Sequence, residues 1–106
     1  MKNKLLIIGA SGHGKVVADI ALKMNKWETV AFLDDDGNIK SSMGLKVIGT
    51  SDDVSKYINE YDVFVGIGNN ATRQTVYEKL ETLEASIPIL IHPSATIGTQ
   101  VIIGSG

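Results

Sequence analysis

The chain has 106 residues, 43% of them hydrophobic and 21% charged, with a net charge of -2 and no cysteine. That is the length of one domain with a modest core. The balance excludes a disulfide scaffold, a thiol nucleophile and a zinc–thiolate site. It also argues against a nucleic-acid partner, since no dense Lys/Arg cluster appears.

No apolar run approaches the roughly 20 residues that span a bilayer. The N-terminal "LLII" stops at Gly9, too short for the apolar region of a secretory signal. These features suit a cytoplasmic protein.

"KLLIIG" is a short apolar run ending in glycine and predicts a buried parallel strand. From Gly14 to about Asn25, Val16, Val17, Ile20, Ala21 and Met24 recur at helical spacing. "ETVAFLDDD" predicts a second strand running into an acid cluster, and "DGNIKSSMG" (36–44) a polar loop. "LKVIGT" predicts a short strand or a hairpin arm. In "TSDDVSKYI" a helix start is expected, with Ser51 or Asp52 as N-cap. "YDVFVGIG" (61–68) predicts a third buried strand. "NNATRQTVYEKLETL" predicts a helix with Val76, Leu80 and Leu83 on one face, and "SIPILIH" a fourth strand. Strands alternating with helices argue for an open parallel α/β sheet.

The tail changes period. Ile91, Ile97 and Ile103 lie six residues apart, and Gly98 and Gly104 each follow one of these isoleucines. Six-residue repeats build β-helices, in which each edge adds one aliphatic residue to a central stack. An Ile- and Gly-rich edge strand with a loop is the simpler reading. A chain ending on "VIIGSG" is expected to be a fragment of something longer, with its last residues frayed or buried on a second molecule.

Chemistry concentrates in "IIGASGHGKVV" (7–17). The phosphate loop G-x-x-x-x-G-K needs a hydroxyl residue after the lysine to ligate magnesium, and Val16 stands there. An NTPase is therefore rejected. The dinucleotide fingerprint G-x-G-x-x-G fits better in role than in order, because the glycines here read G-x-x-G-x-G. Gly9 permits a tight turn, Gly12 a close approach to a ligand, and Gly14 the start of a helix whose free amides favour an anion. Asp34, with Asp35, ends the second strand about twenty residues after Gly14, the spacing of a ribose-binding acid. His13 is a candidate phosphate donor or a loop cap. Lys15 opposes the helix dipole unless an anion is bound, and is otherwise simply solvated. Gly68, Asn69 and Asn70 fall at the end of the third strand, where Asn can read a sugar or base or can cap the helix. An NAD(P)-binding module stays open on these residues, with NAD preferred because two carboxylates repel a 2′-phosphate. A non-enzymatic assembly domain built on the tail is a third reading.

"IIGASGHGKVVADIA", "FLDDD", "GIGNNATR" and "IHPSATIGTQVIIGSG" occur in this order over essentially the whole chain. As a set they resemble the N-terminal part of the NeuD/PglD family of bacterial sugar acetyltransferases. The resemblance implies a Rossmann-like nucleotide-sugar-binding domain over residues 1–92. The first coil of a left-handed hexapeptide β-helix would then occupy 93–106. It implies a UDP-linked amino sugar as substrate, acetyl-CoA as cofactor, a homotrimer, and a role in bacterial polysaccharide biosynthesis. Ser11, Gly12 and His13 would approach the pyrophosphate, with Gly9 and Gly14 shaping the loop. Asp34 and Asp35 would face the uridine, and Gly68, Asn69 and Asn70 the sugar side. The family's catalytic histidine would lie beyond Gly106, His92 being structural, so this chain carries no catalytic residue and no metal ligand.

Overall fold

The computed structural model describes residues 3–10, 12–87, 90–91 and 102–103. Its strands are β1 (Lys4–Ile8), β2 (Thr29–Leu33), β3 (Ser41–Ser42), β4 (Leu45–Gly49) and β5 (Asp62–Val65), then the two-residue β6 (Leu90–Ile91) and β7 (Ile102–Ile103). The helices are α1 (His13–Met24), a 3₁₀ helix over Ser51–Lys56, and α2 (Asn70–Thr82). The sheet runs β3-β4-β2-β1-β5. All pairings are parallel except the β3–β4 hairpin. This is the expected α/β architecture of a parallel sheet with flanking helices.

Strand alternation sorts the apolar residues into two cores. Leu5, Ile7, Val30, Phe32 and Phe64 face α1 through Val17, Ala18, Ile20 and Ala21. Leu6, Ile8, Ala31, Leu33, Val63 and Val65 face α2 and the 3₁₀ helix through Tyr77, Leu80 and Val54. A sheet buried on both faces needs continuous apolar strands, and "LLII" and "VFV" supply them. The edge strand β5 is covered locally. Val63 donates its N–H to the Ser86 carbonyl at 2.8 Å. Tyr77, its hydroxyl pKa pushed up by burial, hydrogen-bonds with the Val65 backbone.

Three local expectations are corrected. The polar loop 36–44 contains β3, because a two-residue turn at Met43 (φ 55°) and Gly44 (φ 77°) folds Ser41–Ser42 back on β4. β4 is thus both things expected of it, a parallel neighbour of β2 and a hairpin arm. The 3₁₀ helix is capped at Thr50 instead of Ser51 or Asp52. Asp53 reaches back to accept the Thr50 N–H at 2.9 Å. That bond, with Lys56 beside it, lowers the Asp53 pKa below its ordinary value. The fourth strand does not join the main sheet. Among the described residues, Leu90–Ile91 is extended and pairs antiparallel with Ile102–Ile103. The rest of the expected β-helix coil, with Ile97 and His92, lies outside the described residues.

One buried carboxylate holds the lower end of the sheet together. Asp62, 1% exposed, accepts from Trp27 Nε1 at 2.9 Å and from Ser86 Oγ at 2.8 Å. It links the α1–β2 connection and the segment after α2 to the start of β5. Charge-assisted bonds of this kind are about twice as strong as neutral ones. Asp62→Ala is expected to lower unfolding stability by about 2–4 kcal/mol. Trp27 is the only tryptophan, so its fluorescence follows that transition directly. Met43, a side-chain-bearing residue in the left-handed region, is the opposite case. Met43→Asn makes an Asn-Gly hairpin turn and should raise stability, by up to about 1 kcal/mol, read as a higher denaturation midpoint.

Candidate functional site

The chain runs outward from β1 to β2 and β4, then crosses back to β5 on the other side of β1. The crevice beyond the strand ends at this reversal is where ligands bind in open α/β sheets. Here it is a cavity of about 410 Å³. Ile8, Gly9, Gly12 and His13 bound it from the first turn, Leu33, Asp34 and Asp35 from the end of β2, and Ser51 from the 3₁₀ helix. Gly66, Ile67 and Gly68 close it after β5, with Thr72 and Val76 from α2.

What opens this crevice is backbone packed on backbone. Gly9, at φ 105°, turns the chain out of β1. A Cβ on Gly9 would meet the Gly66 carbonyl oxygen at 2.8 Å, and one on Gly66 would meet Gly14 Cα at 2.7 Å. A Cβ on Gly14 would collide with the Gly9 carbonyl. The three glycines therefore bring the start of α1 down onto the ends of β1 and β5. The sequence pointed to Gly9 and Gly14. Gly66 is a further member of this contact, and its signal in "YDVFVGIG" is a glycine closing a buried strand, as Gly9 closes β1.

The start of α1 is uncapped. Its N-cap Gly12 offers no side chain, and no acid occupies the first turn. Helix amides left without acceptors are donors for an anion. α2 contrasts with it: Asn69 Oδ1 accepts the Thr72 N–H at 3.0 Å. Asn70 Oδ1 accepts from Arg73 Nη2 at 2.8 Å. Of the two readings open for these asparagines, capping describes Asn69, and Asn70 is tied to its own helix. Gly68, by contrast, lines the cavity, where a Cβ would sit 3.7 Å from His13 Cβ.

The acid pair lines the cavity and also builds it. Asp34 accepts the Ala10 N–H at 2.8 Å on one oxygen and the Asp36 N–H at 2.8 Å on the other. It thereby clamps the end of β2 to the glycine loop. Asp35 accepts the Ser51 N–H at 2.8 Å and its hydroxyl at 2.9 Å. Each carboxylate oxygen carries two lone-pair sites, so acceptor capacity remains for a ligand. Ser51 and Thr72, hydroxyl residues on this rim, had been read only for capping and helix pattern. They arrive through the 3₁₀ helix and the N-terminal turn of α2. Lys15 is exposed and does not line this cavity; it borders a second one behind the loop. Ser11 lies outside the described residues. Among the described residues, no group of three His, Asp or Glu side chains is placed to hold a metal ion, and no helix is long and apolar enough to cross a membrane.

Two glycine variants separate geometry from composition. Gly14→Ala forces α1 off the Gly9 carbonyl and is expected to cost at least 1–3 kcal/mol, the usual range for overpacking. Gly68→Ala, with its nearest neighbour at an ordinary 3.7 Å, should stay within about 0.5 kcal/mol of the wild type. Chemical denaturation of the two variants checks the difference.

Residues 4–80 match the family model of the PglD N-terminal domain. The chain is 31% identical over 111 residues to UDP-N-acetylbacillosamine N-acetyltransferase of Bacillus subtilis (strain 168), an alignment covering 100% of this chain and 50% of that protein. Two solved structures of the acetyltransferase domain of PglB from Neisseria gonorrhoeae FA1090 are also similar. The one in complex with acetyl coenzyme A superposes with a TM-score of 0.83 at 38% identity, over 90% of this chain and 46% of that one. The other gives 0.84 at 39% identity, over 90% and 47%. The chain thus spans about half the length of the relatives it matches. With the crossover order, the glycine packing and the acid pair in place, and a family match over most of its length, this chain belongs to the PglD N-terminal domain family.

Proposed function

We propose that this chain is the nucleotide-sugar-binding part of an acetyltransferase that acts on a UDP-linked amino sugar. The observation that carries this reading is the crevice itself. An uncapped helix start opens into it beside Gly12 and His13, and Asp34 and Asp35 stand across from them at the end of β2. The Gly12–Gly14 amides and His13, with Ser11 beside them, would hold the pyrophosphate. Asp34 and Asp35 would accept from the uridine, and Gly68 would leave room on the sugar side, with Asn69 and Asn70 fixing the helix that borders it. The glycine-dense turn and the neutral amide donors suit a diphosphate, which needs close backbone approach.

The reaction belongs to the whole protein. The amine nitrogen of the sugar attacks the thioester carbonyl of acetyl-CoA. A C–N bond forms, the C–S bond breaks, CoA leaves as the thiol, and the amine proton passes to a general base. Support comes from the curated relative, named as an N-acetyltransferase, and from the neighbour solved in complex with acetyl coenzyme A. The CoA groove and the base are assigned to the part of the protein that follows this chain. A hexapeptide β-helix there would assemble a homotrimer in the cytoplasm, serving bacterial polysaccharide biosynthesis.

Calorimetric titration of the chain with a UDP-sugar, and separately with NAD, tests the acceptor role. Saturable binding of the UDP-sugar is expected. His13→Ala should weaken it about 10-fold, the scale of one hydrogen bond to a charged group. Binding of NAD without the UDP-sugar would overturn the reading and return the fold to dinucleotide chemistry.

A further inference from the structure

Behind the glycine loop lies a second cavity, of about 600 Å³, that shares no lining residue with the first among the described residues. Ala10 and Lys15 bound it on one side, and the segment from Asn38 to Met43 on the other. The two cavities have opposite electrostatic character. Among the described residues, Asp34 and Asp35 line the first with no Lys or Arg, and Lys15 and Lys40 line the second with no Asp or Glu.

Both lysines lack ion-pair partners among the described residues, whereas Lys4, Lys23, Lys56 and Lys79 each have one. Two like charges facing one concavity raise its potential together. Lys15 also sits in the first turn of α1, where no acid offsets the positive end of the helix. The backbone carrying Lys40 is held in place. Its carbonyl accepts the Val47 N–H at 3.0 Å, Ile39 beside it packs on the core, and Asp36 accepts the Asn38 N–H at 2.9 Å.

A third observation is independent of charge. Ser42, 8% exposed, lines the same cavity, and its hydroxyl has no hydrogen-bond partner. A buried hydroxyl left without a partner is rare in folded proteins.

We propose that this second cavity binds a phosphate-class oxyanion, held by Lys15, Lys40 and the Ser42 hydroxyl. The anion is either a phosphate of the molecule seated in the first cavity, reaching across the loop, or a separate phosphorylated small molecule. This assignment does not rest on the identity of the ligand in the first cavity.

Amide NMR spectra of the full chain, titrated at low ionic strength with pyrophosphate and separately with UDP, test it. Saturable shifts are expected at Lys15 and at Lys40–Met43. Lys15→Gln and Lys40→Gln should each weaken the response about 10-fold, Lys26→Gln should leave it unchanged, and added salt should weaken it. A response to pyrophosphate alone identifies a separate anion; a response to UDP alone identifies the phosphate of the neighbouring ligand. Absence of a saturable response at 40–43 to both probes overturns the proposal, as does a response that both lysine variants leave at the wild-type level. Shifts at His13, Gly68 and Thr72 report the first cavity. Their absence alongside an intact response at 40–43 would count against the nucleotide-sugar reading and leave this site standing.

Discussion

The rest of the structure depends on the contact of three backbones at Gly9, Gly14 and Gly66. A side chain on any of them would have to displace main chain, which cannot yield as a flexible side-chain tip can. Because they touch, the start of α1 lies directly above the ends of β1 and β5, and Gly12 and His13 line the crevice at the chain reversal. The same contact sets the height of the glycine loop. That loop then separates an acidic cavity in front from a basic one behind.

The carboxylates at the end of β2 serve scaffold and site together. Asp34 accepts from the Ala10 amide on one oxygen and from the Asp36 amide on the other, which ties the end of β2 to the glycine loop. Asp35 does the same for the 3₁₀ helix through Ser51. A carboxylate already oriented by backbone donors loses little further freedom when a ligand donates to its remaining lone pairs. Removing either acid therefore loosens the crevice as well as deleting an acceptor, and an alanine scan of this site reports both effects at once.

Much of the fold was legible because its strands are short apolar runs that stop at glycine, and because α1 keeps helical spacing from Val16 to Met24. The misses have physical causes. β3 is two serines, invisible to any hydrophobic pattern, and exists only because a turn in the left-handed region pairs it with β4. Thr50 outranks Ser51 as a cap through the reach of Asp53 three residues on. "SIPILIH" has the composition of a sheet strand, but composition does not say which partner a strand finds. At the site, Gly9, Gly12, His13, Gly14, Asp34, Asp35 and Gly68 were readable from the order of glycines and acids. Ser51, Thr72 and Gly66 were not, since they reach the crevice only through the crossing of the chain. Lys15 was read with the loop, yet it faces away from the first cavity, because a single helical step past Gly14 turns a side chain by about 100°.

The two helices that border the crevice show what the site costs. An Asn, Asp or Ser cap stabilises a helix by about 1 kcal/mol, and α2 has one in Asn69. α1 has Gly12 in that place, a cap weaker by roughly a few tenths of a kcal/mol, and a lysine in its first turn, which opposes the helix dipole. A side-chain cap at position 12 would occupy amides at the start of α1, and an acid at position 15 would remove one of the two lysine charges behind the loop. An anion bound there, as proposed, would supply the acceptors that a side-chain cap does not. The two packed faces of the sheet beneath hold α1 in place independently of how its first turn is capped.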